Sequence, residues 1–95
     1  MMAYVIANCN IKDAEKFAEY GALAAPTFTP FGGKLLQKGK LTATLAGPSG
    51  AAVTAIFAFD NPEAAMAWYA SAAYQALLPL RDAACEMSLS IYSTP

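Results

Sequence analysis

The sequence predicts an α+β fold of the ferredoxin-like type, in which helices cover one face of a four-stranded antiparallel sheet. Two observations predict it. Alternating apolar and polar residues, which are typical of half-buried strands, occur in four separate stretches. Two capped helical stretches stand between them, so the order is β-α-β-β-α-β. At 95 residues, the chain is expected to form a single domain over residues 1–95.

The first strand and the first helix are predicted near the N-terminus. Ala3–Ile11 alternates between two faces, as a half-buried strand does. Asp13 then fits an N-cap, because its carboxylate can accept hydrogen bonds from the free amides of a first helical turn. A helix is predicted over about residues 14–25, and Pro26 and Pro30 are expected to end it. Its expected apolar stripe has helical spacing and consists of Phe17, Gly21, Ala24 and Phe28.

The middle of the chain predicts two further strands. Gly32 and Gly33 indicate a turn into a second strand, Lys34–Lys38, and Gly39 is a candidate bulge. Alternation resumes over residues 41–45. A Gly-Pro-Ser-Gly turn at residues 47–50 is then expected to lead into the third strand, Ala51–Phe59.

The second helical region begins at Asn61-Pro62-Glu63, which combines a capping side chain, a proline in the first turn and an acidic residue. This helix is expected to extend through Trp68 and Tyr69. Ser71 can cap a second short helix over Ala72–Leu77, and Pro79 begins or bends the turn that carries Arg81. The fourth strand is predicted over Met87–Tyr92.

The two faces of the predicted sheet differ in polarity. One face is apolar and is expected to meet the helices. The other carries residues of mixed polarity: Tyr4, Ile6, Asn8, Thr54, Ile56, Ser88, Ser90 and Tyr92. This mixed face is either exposed to solvent or covered by the sheet of a second copy, which would form a barrel-like homodimer with a partly polar cavity. The dimer is preferred, because a chain of this size buries only roughly 60–65% of its unfolded surface and 22 of its residues are alanine.

Composition excludes several classes of function. The chain has no histidine, which removes histidine-based acid–base catalysis and most zinc or iron sites, so neither a metal nor a cofactor is expected. A net charge of −1 gives no electrostatic footprint for nucleic acid. The N-terminal segment does not resemble a signal peptide, and no apolar run is long enough for a transmembrane helix. A cytoplasmic protein with reduced thiols is therefore expected.

Three stretches carry a resemblance to a known family. They are Tyr4–Asn8 with Asp13; Pro26–Phe28 with Phe31–Leu36, Lys38 and Gly39; and Phe59, Asn61, Glu63–Ala65, Trp68, Tyr69, Ser71, Tyr74 and Leu78–Arg81. In these stretches the sequence resembles the bacterial "domain of unknown function 1330" family of the dimeric α/β-barrel superfamily. The resemblance implies the same fold and a homodimer, but no agreed reaction.

Two positions depart from the family pattern. Ala58 stands where the family has a glutamate before the third-strand phenylalanine, so a catalytic base at that position would be missing here. Lys34 stands where arginine is frequent, and it keeps the charge but loses the bidentate fork.

Arg81, the only arginine, is the first candidate for binding a ligand. It follows Tyr69 and Tyr74 by 12 and 7 positions. Its planar guanidinium can anchor a carboxylate or phosphate, with the phenols beside it. The competing interpretation is structural, in which Arg81 pairs with Asp82, Glu86 or an acidic residue of a partner.

Further candidates lie on the predicted strands. Tyr4 and Asn8 can hydrogen-bond a ligand in the cavity, or they can bond to one another, to Tyr92 or to water across the dimer. Lys34 can attract an acid, although basic residues on an edge strand more often prevent unwanted pairing. By strand parity, Lys34 and Lys38 are expected on one face.

The two cysteines raise a separate question. The predicted topology brings Cys9 and Cys85 to the same end of the sheet, on its helix-facing side, so they can be neighbours. They are either a redox pair or two inert buried thiols.

Three functions stay open from the sequence. The first is a homodimer that binds a small acidic or aromatic molecule in a cavity at the sheet face, between sheet and helices. There Arg81 or Lys34 would neutralise the acid, and Tyr4 and Asn8 would orient it. The second is a cofactor-independent monooxygenase or isomerase, as found in the wider superfamily, with a tyrosine, lysine or carboxylate moving the proton. The third is an oligomerisation domain without a ligand.

Overall fold

A computed structural model describes residues 1–48 and 50–95 of the chain. Four strands form one antiparallel sheet: β1 (Ala3–Ile11), β2 (Lys34–Lys40), β3 (Val53–Phe59) and β4 (Cys85–Ser93). The helices are α1 (Ala14–Phe28), α2 (Pro62–Ala70), α3 (Ala72–Gln75) and α4 (Leu78–Ala84), with a 3₁₀ turn over Thr29–Phe31. The strands lie in the order β2-β3-β1-β4. The predicted β-α-β-β-α-β order is therefore confirmed, and no helix in this described part is long and apolar enough to cross a membrane.

Side-chain caps begin three helices at the predicted residues. Asp13 accepts a hydrogen bond from the backbone amide of Lys16 at 3.0 Å, which starts α1. Asn61 does the same for α2, and Ser71 for α3. These oxygens satisfy amides that a helix otherwise leaves without a partner, so the sequence encodes where each helix starts.

The predicted end of the first helix is wrong. The helix α1 continues through Pro26 to Phe28 instead of ending near residue 25. Pro26 is exposed, whereas Thr27 and Phe28 are buried, so packing of the last turn outweighs the one backbone hydrogen bond that proline removes. The buried stripe also differs from the expected one, because Gly21 is exposed and Tyr20 is buried instead.

Two predictions about the second strand are also wrong. The irregularity in the β2–β3 pairing falls between Leu35 and Gln37 and not at Gly39. This shift of one residue moves Lys34 and Lys38 to opposite faces of the sheet, since Lys34 pairs with Ala58 and Lys38 pairs with Ala55.

Residues 41–45 are outside any strand, although Leu41 donates a backbone hydrogen bond to Ala52. The strand β3 begins at Val53, two residues later than predicted, and the amide of Ala52 bonds to the Asn10 side chain. In the predicted 47–50 turn, Gly47 has a φ of 79°, and Ser49 lies outside the described residues.

The C-terminal elements also have different limits from those expected. The short helix α3 stops at Gln75, before the predicted end at Leu77, and α4 follows it from Leu78. The strand β4 begins at Cys85, two residues before the predicted start.

The core fills the space between the helices and the sheet with aromatic rings. Trp68 stacks on Phe28, with ring centres 4.5 Å apart, and Phe28 stacks on Phe57 at 4.3 Å. The indole Nε1–H of Trp68 donates to the hydroxyl of Thr27 at 2.9 Å. Trp68 and Tyr74 are almost completely buried, so this cluster fixes the position of the short helices that follow α2.

The opposite face of the sheet, here called the open face, has no helix on it in residues 1–48 and 50–95. Strand register places its residues in three rows across β3, β1 and β4, which are Ala58–Tyr4–Tyr92, Ile56–Ile6–Ser90 and Thr54–Asn8–Ser88. The rows continue onto β2 at Lys34, Gln37 and Gly39. The predicted membership of this mixed face is confirmed.

Candidate functional site

Three of the predicted site residues come together at the short helices. Tyr69 lies in α2, Tyr74 in α3 and Arg81 in α4. The Nη1 atom of Arg81 donates to the hydroxyl oxygen of Tyr74 at 3.3 Å and to that of Tyr69 at 3.5 Å. The chain breaks its helix at Ser71, and the resulting change of direction lets residues from three successive helices converge.

Tyr20 is a fourth member of this group and was not among the predicted site residues. Its hydroxyl lies 2.8 Å from the hydroxyl of Tyr74. We call Tyr20, Tyr69, Tyr74 and Arg81 the Arg81 cluster. A signal was present in the sequence, because Tyr20, Ala24, Thr27 and Phe28 have helical spacing and form the stripe that α1 actually buries.

The Arg81 cluster carries a positive charge that is only weakly countered. The side chain of Arg81 is 15% exposed, and its carboxylate neighbour Asp82, at 3.2 Å from Nε, is 69% exposed. An ion pair this open to water contributes little. Burial alone would lower the pKa of Arg81, but hydrogen bonds to Tyr69 and Tyr74 raise it above its ordinary value, so the guanidinium stays charged. Burial, followed by the bond to Tyr74, raises the pKa of Tyr20, which stays neutral.

An apolar cleft adjoins the Arg81 cluster between α2 and β4. Its volume is about 380 Å³. The lining side chains come from the sheet and from α2, and include Val5, Leu89, Ile91, Met66, Trp68 and Tyr69. Tyr69 belongs to both features, since its ring lines the cleft and its hydroxyl accepts the hydrogen bond from Arg81.

The remaining predicted site residues lie elsewhere. Tyr4, Asn8 and Lys34 are on the open face, and the sheet separates them from the Arg81 cluster. Asn8 also lines a groove of about 350 Å³ beside the segment that joins β2 to β3. Within one chain, therefore, the sheet lies between the two groups of candidate residues.

Cys9 and Cys85 are neighbours, as their topology suggested. Both are buried free thiols on the helix-facing side of the sheet. The Cys85 thiol donates to the backbone carbonyl of Arg81, at 3.4 Å. Burial, together with the neighbouring Cys85, raises the pKa of Cys9 to about 11. Burial likewise raises the pKa of Cys85.

Comparison with known proteins identifies the family. The family model described as "Domain of unknown function (DUF1330)" matches residues 2–94. No curated protein matches the sequence.

Solved structures show the same fold. A protein of unknown function from Rhodopseudomonas palustris has a TM-score of 0.81 and 20% identity, over 99% of this chain and 82% of that one. A dabb family protein with a ferredoxin-like fold from Mesorhizobium loti has a TM-score of 0.73 and 10% identity, over 99% and 97%. SnoaB, a cofactor-independent oxygenase from Streptomyces nogalater, has a TM-score of 0.72 and 10% identity, over 99% and 93%. The predicted ferredoxin-like fold is confirmed.

Proposed function

The chain belongs to the DUF1330 family, and we propose that it is a homodimer that binds a small aromatic acid in the cleft between α2 and β4. One observation carries the proposal: a mostly buried guanidinium is held beside an apolar cleft by two tyrosine hydroxyls, with the exposed carboxylate of Asp82 as its counterion. Such a site favours an incoming anion, because no buried acid among the residues that the structure describes neutralises it.

Arg81 still has donors to offer. Its described hydrogen bonds use Nε and Nη1. Nη2 has no hydrogen-bond partner among the described residues. Every fully buried side-chain nitrogen or oxygen in that part of the chain does have a partner, so Nη2 is not fully buried and is open to solvent. A guanidinium held in place by two phenols has a fixed fork geometry, which suits the planar carboxylate group.

The size and lining of the cleft indicate the apolar part of the ligand. Its volume of about 380 Å³ is at the lower end of small-molecule sites, which span roughly 300–1,000 Å³. Apolar side chains and the rings of Trp68 and Tyr69 line it, so a flat molecule of one or two rings fits its chemistry. The acid group would lie at the Tyr69 end, within reach of Arg81.

The open face supports the homodimer. Its centre is apolar, because Ile6 and Ile56 pair there, and covering this centre would remove apolar surface from water. A second copy would cover these residues and would enclose Tyr4, Asn8 and Lys34 in the seam between the two sheets. In this arrangement the open-face candidates serve dimer formation, while the Arg81 cluster of each chain serves the ligand.

The test uses 1-naphthoate, its neutral amide, and isothermal titration calorimetry. We expect 1-naphthoate to bind and the amide to bind at least tenfold more weakly, because the amide lacks the charge. Arg81→Gln should weaken naphthoate binding at least tenfold, and Arg81→Lys should weaken it less. Lys40→Gln is the matched control, since Lys40 is an exposed cation of β2, and it should leave binding unchanged.

Two results would overturn the ligand proposal. One is the absence of binding of either compound, which would favour an oligomerisation domain. The other is an Arg81→Gln variant that binds naphthoate as well as the unaltered protein does.

A cofactor-independent oxygenase is the second candidate. The hydroxyls of Tyr20, Tyr69 and Tyr74 and the Arg81 guanidinium form a hydrogen-bonded chain beside an apolar cleft, and such a chain can stabilise the phenolate of a bound substrate. Oxygen uptake with 1,4-dihydroxynaphthalene measures this directly. Uptake above the buffer rate that disappears in Tyr74→Phe would support an enzyme, and uptake equal to that of buffer would exclude it for this substrate.

A further inference from the structure

In the part of the chain that the structure describes, the outer edge of strand β4 has no strand beside it. Two bonds just beyond the ends of the β1–β4 pair fix which residues face β1. At one end, the amide of Lys12 donates to the carbonyl of Ala84 at 2.8 Å. At the other end, the amide of Thr94 donates to the carbonyl of Met2 at 3.0 Å. Since hydrogen-bonded pairs alternate along antiparallel strands, the even-numbered residues of β4 face β1, and the odd-numbered ones point their N–H and C=O groups outward.

The apolar cleft follows this outer edge. Leu89, Ser90 and Ile91 are consecutive residues of β4, and all three line the cleft. Ser90 pairs with Ile6 on the open face, so its side chain points away from the helices and its backbone contributes to the lining. The cleft therefore reaches the backbone of β4, where Leu89 and Ile91 present outward N–H and C=O groups. No hydrogen bond among the described residues uses these groups.

Strand β4 also connects the cleft with the Arg81 cluster. The hydroxyl of Tyr20, a member of that cluster, lies 4.0 Å from the sulfur of Met87. Met87 is two residues before Leu89, which is about 7 Å along a strand. Tyr69 lines the same cleft and accepts a hydrogen bond from Arg81. The outward groups of Leu89 are thus the free backbone groups of the cleft that lie nearest to the cluster along β4.

We propose that the ligand of this cleft is an N-acylated aromatic α-amino acid, which binds to the backbone of Leu89 as one residue of an added strand does. The inference rests on the proposed binding of an aromatic acid in the cleft, and it names the group beside the carboxylate. In an extended residue the N–H and the carbonyl oxygen point to the same side, so two residues that lie opposite one another exchange two hydrogen bonds. The ligand's N–H donates to the carbonyl of Leu89, and one carboxylate oxygen accepts from the N–H of Leu89. The other carboxylate oxygen faces Arg81, and the aromatic ring occupies the apolar part of the cleft.

The charges around the cleft explain why the amino group is acylated. A free amino acid carries an ammonium group beside its carboxylate, and Arg81, whose side chain is 15% exposed, is a cation. The described residues that line the cleft include no acid that could pair with an ammonium group. Burying an unpaired charge is costly. An amide N–H is uncharged and needs a single acceptor, which the carbonyl of Leu89 supplies.

The first experiment changes the ligand and leaves the protein unaltered. Isothermal titration calorimetry compares N-acetyl-L-phenylalanine with its ester analogue, O-acetyl-L-phenyllactate, which replaces the N–H by an oxygen atom and keeps the ring and the charge. We expect the ester to bind at least fivefold more weakly, because it has no donor for the carbonyl of Leu89. L-phenylalanine itself should bind at least tenfold more weakly than its N-acetyl derivative.

The second experiment changes the edge of the sheet. Leu89→Pro removes the outward N–H and leaves the hydrogen bonds to β1 in place, and proline is tolerated on an edge strand at such a position. Leu89→Ala is the matched control, because it also shortens the side chain but keeps the N–H. N-acetyl-L-phenylalanine should bind to Leu89→Pro at least fivefold more weakly than to Leu89→Ala. If the proline variant does not fold by circular dichroism, amide hydrogen exchange of the unaltered chain decides. Saturating ligand should then slow exchange at Leu89 at least fivefold and leave Ser93, which points outward beyond the cleft, unchanged.

Titration with 1-naphthoate separates this inference from the proposed function. Equal affinity for the amide and the ester, equal affinity of the two Leu89 variants, or unchanged exchange at Leu89 would overturn the inference, and binding of 1-naphthoate would leave the proposed function standing. No binding of N-acetyl-L-phenylalanine or of 1-naphthoate would remove both. Binding of N-acetyl-L-phenylalanine without binding of 1-naphthoate, together with a weaker ester, would support the edge site and show that the amide is required.

Discussion

The two faces of this sheet come from the same strands but differ in polarity and in what covers them. On the helix-facing side, Trp68 and Tyr74 are almost fully buried. The indole of Trp68 bonds to Thr27, and the hydroxyl of Tyr74 bonds to Tyr20 and Arg81. On the open face, rows of serine, asparagine, tyrosine and isoleucine are covered by no helix. One side is therefore completed within the chain, whereas the other keeps a surface of mixed polarity.

This difference follows from the period of two along a strand. Every change of position by one residue moves a side chain from one face to the other, so a single strand contributes to both. In β1, Val5 belongs to the buried core, and the neighbouring Tyr4 and Ile6 belong to the open face. Substitutions at adjacent positions of one strand should thus have separable effects on folding and on association.

The largest effect is expected in the aromatic core. Trp68→Ala removes a fully buried ring and its bond to Thr27, and such substitutions cost about 3–5 kcal/mol. Leu36→Ala, at a residue 53% exposed, should cost less than about 0.5 kcal/mol and is the control. Urea unfolding followed by circular dichroism, at one fixed protein concentration, measures both. A loss below about 1 kcal/mol for Trp68→Ala would show that the core is not organised around this ring.

The next effect concerns the open face. Ile56→Lys places a charge at the centre of the proposed dimer interface, next to Ile6. We expect the dimer dissociation constant to rise at least a hundredfold, or about 2.7 kcal/mol, as measured by sedimentation velocity. Leu23→Lys, on the exposed part of α1, should leave association unchanged. An unaltered protein that is monomeric at every concentration would contradict the dimer outright.

Much of this architecture was predictable because its signals are local. Alternation identified the four strands, and the capping residues Asp13, Asn61 and Ser71 marked where the helices start. The membership of the open face followed from parity alone. The errors occur where a distant contact decides. Buried packing of Phe28 carries α1 past Pro26, and a bulge beside Leu36, which no local signal marks, reverses the face of Lys38.

The candidate site likewise has a part that local sequence predicted and a part that depends on distant contacts. Tyr69, Tyr74 and Arg81 were found together because they lie close in sequence, within three successive helices. Tyr20 is 54 residues from Tyr74, and only the packing of α1 against α3 and α4 brings the two hydroxyls together. The separation of Tyr4 and Asn8 from Arg81 likewise depends on which side of the sheet the short helices pack.

A smaller effect tests the hydrogen bond inside the Arg81 cluster. Tyr20→Phe or Tyr74→Phe removes the bond between the two hydroxyls, which contributes about 0.5–1.5 kcal/mol. The remaining hydroxyl keeps its other partner, which is Arg81 for Tyr74 and Met87 for Tyr20. The double variant should cost clearly less than the sum of the two, because both single variants lose the same hydrogen bond and the double variant loses it only once. Urea unfolding of the unaltered chain, the two single variants and the double variant gives the four free energies of unfolding for this double-mutant cycle. Strict additivity would mean that the 2.8 Å contact contributes no coupling.

The smallest expected effect is a loss of stability that is absent at neutral pH and develops only at alkaline pH. Burial raises the pKa of Cys9 from 9.0 to about 11, so the folded chain holds this proton at a pH where the unfolded chain has released it. Stability from Cys9 is thus fully present below about pH 9 and is lost as the pH rises to about 11. Cys85 and Tyr20, whose pKa values burial also raises, act in the same direction. Urea midpoints between pH 7 and 11 should fall less steeply for Cys9→Ala than for the unaltered chain, whereas Leu36→Ala should follow the unaltered slope. Parallel curves for Cys9→Ala would show that the Cys9 thiol is as accessible to water in the folded chain as in the unfolded one.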